Sequence, residues 1–141
     1  MISAHQLRQA RSLDGEPRNE WFVETSEGIE VVVLSVNSVP SESHLAQANA
    51  VLENIEELKP KAIRLLEGFM KDKGSWDVGS IDCGLEAQRQ ECTFLIGLDF
   101  YFDGDPCEYG YTYFNVGFNI IPNCHPSDQH GRPIKFVVGF H

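Results

Sequence analysis

The chain has 141 residues, with 11 Lys and Arg against 21 Asp and Glu, a formal net charge of −10 and a pI near 4.8. Its 42% hydrophobic and 11% aromatic content supplies one core in a single domain spanning residues 1–141, and it excludes collagenous, coiled-coil and wholly disordered classes. Basic contacts to phosphate dominate nucleic-acid affinity, so this acidity argues against nucleic-acid partners and against an anionic membrane surface, and it favours a basic protein partner.

The N-terminal stretch MISAHQLRQARSLDG has no apolar run of the roughly 7–15 residues that a secretory signal needs. No segment reaches the ~18 apolar residues of a membrane-spanning helix either. A cytoplasmic location is expected, with Cys83, Cys92, Cys107 and Cys124 as reduced thiols.

In chain order, Ser3 and Gln6 stand at capping-box spacing, which predicts a brief helix to about Arg11, closed by Asp14, Gly15 and Pro17. Trp21 to Thr25 and Ile29 to Val36 are β-rich runs around Ser26, Glu27 and Gly28 and read as a hairpin. After Pro40, with Ser41 or Ser43 as cap, Leu45, Ala48, Leu52 and Ile55 recur at helical spacing. Pro60 predicts a bend near Leu58 or a restart, and Ala62, Ile63, Leu66, Phe69 and Met70 carry the apolar stripe on to Lys73 and Gly74.

Phe94 to Phe102, Thr112 to Ile120 and Ile134 to Phe140 alternate, with every even-numbered residue apolar except Thr112. They read as three strands of an antiparallel meander. The fold class that follows is α+β: an N-terminal hairpin plus the meander in one sheet of about five strands, packed on one face by one kinked or two consecutive helices. Pairing sums of 214 and 254 align apolar rows such as Leu98, Val116 and Val138, and a slip of two would preserve the faces. The final strand is a possible edge for a homodimer.

On that register the odd-numbered face brings Gly97, Gly117 and Gly139 together as a shallow trough flanked by Asp99, Tyr101, Tyr113, Asn115 and His141. These residues, with Asp103 and Asp105 in the next turn, are the candidate binding residues. The competing reading of the face is an ordinary solvated sheet surface, or one covered by the N-terminal segment.

No P-loop, dinucleotide fingerprint, HExxH, nucleophile elbow or paired CxxC is present, which lowers the case for an enzyme, and no catalytic residue or cofactor is assigned. Cys107, Cys124, His125 and His130 are zinc-ligand types, but a strand of about nine residues, roughly 30 Å, separates the two cysteines, so no metal site is assigned. Cys92 and Cys124 fall about a diagonal apart. Asp103-Gly104-Asp105 reads as a turn, and Asp99 beside His141 as a weak acid–base pair. Trp21 and Trp76 read as core.

The charge is local. Residues 21–50 carry −4 and 74–105 carry −6, while 1–20, 51–73 and 106–141 each sum to zero. Two functions follow: a small acidic module of the antidote type that inhibits a basic partner such as a secreted toxin, and a small-molecule-binding protein or enzyme using the odd-numbered face. On the first, the partner docks along 74–105 and the hairpin tip.

Overall fold

The structure, a computed structural model, describes residues 1–35, 38–84, 87, 91–102 and 112–140. The capping pair operates over a single turn: a 3₁₀ turn spans Ala4–Gln6, and the Ser3 backbone N–H donates to Gln6 Oε1 at 2.7 Å. The expected helix to Arg11 does not form. A helix this short and polar gains little without an apolar stripe, and Arg8–Arg11 instead becomes strand β1, paired antiparallel to β2 (Pro17–Glu24). β2 and β3 (Glu30–Leu34) form the expected hairpin.

Helix α1 (Glu42–Glu53) is capped by Ser41, whose Oγ accepts from the His44 backbone N–H at 3.4 Å. α2 spans Ile55–Glu67. The break falls at Asn54, earlier than Leu58, where Asn54 Nδ2 donates to the Ala50 carbonyl at 2.7 Å. Pro60 lies inside α2 on an exposed position.

A strand unforeseen in the sequence follows: β4, Gly74–Cys83. Trp76 and Val78 face the helices, and then Ile81 and Cys83 do, because the alternation changes phase at a bulge between Val78 and Ser80. β5 (Phe94–Phe102), β6 (Thr112–Asn119) and β7 (Arg132–Phe140) are the three alternating strands. All seven strands form one sheet in sequence order. Every pairing is antiparallel except β3 with β4, which are parallel, and α1 and α2 form the crossover between them. The fold is therefore α+β and mostly antiparallel, with seven strands where about five were expected.

The register has slipped by two, with sums of 212 for β5/β6 and 252 for most of β6/β7. The faces are unchanged except at the start of β7, where Phe118 pairs with Pro133. Phe94, Ile96, Val116 and Phe118 are fully buried, together with Val31, Val33 and Ile81, against Ala48, Leu58, Ala62 and Leu66. Trp76 packs against Phe100 and Phe114 at ring centroid distances of 4.6 and 5.0 Å. Ile134, expected in the core, is 40% exposed, because a bulge opposite Gly117 and Phe118 leaves it without a cross-strand partner.

The connection 120–131 docks on α2. Lys61 Nζ donates to the Ser127 carbonyl and lies 3.7 Å from Glu57 and 3.8 Å from Asp128, and His130 Nδ1 meets Glu57 Oε2 at 2.6 Å. Among the described residues, no helix is long and apolar enough to cross a membrane.

Leu58 is wholly buried where α2 meets the sheet. Leu58→Ala should lower unfolding stability by about 2–5 kcal/mol in urea titrations, the range for a cavity left by a buried leucine.

Candidate functional site

Two concave regions share Asp99. One is a trough on the sheet face opposite the helices; the other is a notch at the end of the β2–β3 hairpin.

The trough, of about 620 Å³, is built by strand alternation: Glu20 from β2, Glu30 from β3, Ser80 and Asp82 from β4, Asp99 from β5, Asn115 and Tyr113 from β6. Asp82 has buried apolar cross-strand neighbours on both sides, Val32 and Leu95. Burial, reinforced by the negative charge of Glu20 and Glu30, pushes its pKa up to about 6. Arg18 on β2 is paired with Glu20 at 3.4 Å.

The expected glycine trough does not exist as such. The slipped register sets Gly97 opposite Asn115, Gly117 opposite Leu95, and Gly139 opposite Tyr113, and a side chain covers each glycine. A methyl group on Gly97 would collide with Ser80 Oγ, one on Gly117 would lie 2.9 Å from Cys92 Sγ, and one on Gly139 would lie 2.6 Å from the Tyr113 ring. At these positions neighbouring side chains occupy the space that a Cβ would take.

The notch follows from the shortness of β3. Glu30–Val33 pair with Ser80–Cys83, so Gly74–Gly79 of β4 run on past the hairpin with no partner on that side among the described residues. The opening, about 1000 Å³, is lined by the hairpin loop, the N-terminal segment, the α1–α2 junction and the β4 edge. Six carboxylates line it: Glu24, Glu27, Glu53, Glu56, Asp77 and Asp99. Among the described residues, Lys59 is the one basic side chain lining it, 4.0 Å from Asp77. Asp77 and Asp99 stand directly opposite each other in the register, a like-charge pairing that costs stability. Val23, Ile29, Leu52, Ile55 and Val78 give the notch an apolar floor.

The sequence candidates therefore divide. Asp99, Tyr113 and Asn115 meet in the trough, while Tyr101, 53% exposed, lines the notch with Asp99. His141, Asp103 and Asp105 lie outside the described residues, as does Cys107. Sequence reasoning missed Glu20, Glu30, Glu53, Glu56 and the placement of Asp77 and Asp82. For the last two, the Trp76, Val78, Ile81, Cys83 pattern around Gly79 is the available signal.

Among the described residues, no group of His, Cys, Asp or Glu is arranged to hold a metal. Cys83, Cys92 and Cys124 are free. Burial, with the Asp82 charge, pushes the Cys83 thiol up to about 12, and burial also raises Cys92, so neither is a ready nucleophile. His125 is exposed and caps the 3₁₀ turn Pro126–Asp128 through Nδ1 at 3.1 Å, whereas His130 is tied to Glu57. Comparison with family models, curated proteins and solved structures finds no match to the chain.

Asp82 gives the open face a pH signature. Its folded pKa, about 6, lies above the ordinary aspartate value of 3.8, so the folded state holds the proton more tightly. The stabilisation is complete below about pH 4 and is lost as pH rises through about 6. Urea midpoints should therefore rise between pH 8 and pH 5. Asp82→Asn should flatten that slope and stabilise the protein at pH 8 by about 1–3 kcal/mol, at 1.36 kcal/mol per pKa unit. Equal slopes in both proteins would contradict the assignment.

Proposed function

We propose that the protein is a binding module that captures a cationic protein partner in the acidic notch, in the manner of an antidote that blocks the basic surface of a toxin. The observation that supports this reading is the convergence of six carboxylates from the hairpin, α1, α2, β4 and β5 on one opening with a single lysine. Charge of one sign focused in a concavity accelerates encounter with an oppositely charged partner and selects against other partners. The exposed Tyr101 and the apolar floor supply contact area beside the charges. The same field repels nucleic acid and anionic membranes.

A second reading, a small-molecule-binding protein or enzyme on the open face, is favoured by one observation: Asp82, a half-buried carboxylate in a trough that also holds Ser80, Asn115 and Tyr113. A homodimer through β7 is weaker, because Pro133, Lys135 and the bulge at Ile134 on that edge oppose strand pairing.

The test is association kinetics against a panel of basic proteins, including any toxin encoded beside this chain. Combined Glu27→Gln, Glu56→Gln and Asp77→Asn substitutions should slow association at least about tenfold at low salt, and Glu42→Gln with Glu67→Gln, outside the notch, should leave it within about twofold. Absence of binding at low salt, or equal effects of the two sets, would overturn the reading.

A further inference from the structure

Beside the notch, part of β4 has no partner strand on its β3 side among the described residues. β4 pairs with β5 along its length, but only Ser80–Cys83 are taken up by β3. Gly74–Gly79 therefore lack a partner on the β3 side among the described residues, a stretch of roughly 20 Å at about 3.3 Å per residue, in which alternate backbone N–H and C=O groups point away from β5 and Asp77 and Val78 border the notch. Free edges invite pairing with another extended chain.

We propose that the notch takes an extended Arg- or Lys-bearing segment of the partner as an added strand along β4 between Gly74 and Gly79. The inference rests on the acidic-capture reading and specifies how that capture occurs. Side chains of an added strand alternate between the two faces of the sheet. One set would meet Glu53 and Glu56 at the α1–α2 junction, and the other Glu24, Asp99 and Tyr101. Carboxylates thus stand on both sides of the track, with Leu52, Ile55 and Val78 available to apolar positions. The bulge between Val78 and Ser80, where β3 begins to pair, closes one end of the track. The charge also selects the occupant. A second copy of the chain would bring its own Asp77 against these carboxylates, whereas a cationic segment neutralises them.

The probe is an octapeptide of alternating Arg and Val, added to the full-length protein, with two versions N-methylated on one or the other alternate set of backbone amides. N-methylation keeps the charge and removes ladder donors. Binding of the parent peptide should fall with salt and shift the amide resonances of Ser75–Val78, and one N-methylated version should bind at least tenfold more weakly. If both versions match the parent while binding stays salt-dependent and sensitive to Asp77→Asn, strand addition is wrong and acidic capture stands. If no peptide binds at low salt, strand addition is overturned, and acidic capture is judged by the basic-protein panel.

Discussion

Four residue pairs, Glu30–Val33 against Ser80–Cys83, hold the two antiparallel halves of this sheet together. Because those strands run parallel, a tight turn cannot join them, and the chain must cross over one face. The crossover is α1 and α2, and their apolar stripe buries that face. Ala48, Leu58, Ala62 and Leu66 lie against Val31, Val33, Ile81, Phe94 and Ile96, all fully buried. The opposite face receives the remaining half of each alternation, which is where Glu20, Glu30, Asp82 and Asp99 collect. The brevity of the same pairing opens the notch, since β4 begins six residues before its β3 partner.

The electrostatics follow from this geometry. A helical segment such as 51–73 balances its own charges, and two of its lysines are engaged: Lys61 fastens the 120–131 connection and Lys59 leans on Asp77. The hairpin and the β4–β5 stretch hold uncompensated acid, and the parallel register brings them side by side. Asp77 against Asp99, and Asp82 against Glu20 and Glu30, are unfavourable arrangements in isolation. They persist because the core on the helix side fixes the strands.

The three C-terminal strands were legible because their alternation is unbroken, and the assignment of faces survived a register slip of two because parity depends only on which residues are apolar. The amphipathic helices were legible for the same kind of reason. β4 was not, since the bulge at Gly79 inverts its alternation midway, and β1 was not, since Arg8–Arg11 is a strand only by virtue of its pairing with β2. At the site, segment charge pointed to the hairpin tip and to 74–105. Glu53 and Glu56 stayed hidden inside a helical segment whose net charge is zero. The glycine trough failed because alignment of Gly97, Gly117 and Gly139 depended on the one quantity that parity leaves free.

Hydrogen exchange along β4 in the uncomplexed protein tests the central geometry most directly. A parallel register that stops at Ser80 requires the amides of Gly74–Val78 that point away from β5 to exchange orders of magnitude faster than the amides of Ile81–Cys83 that point toward β3. Uniform protection along the whole strand would mean that the edge is already occupied, and would contradict both the notch and the function proposed for it.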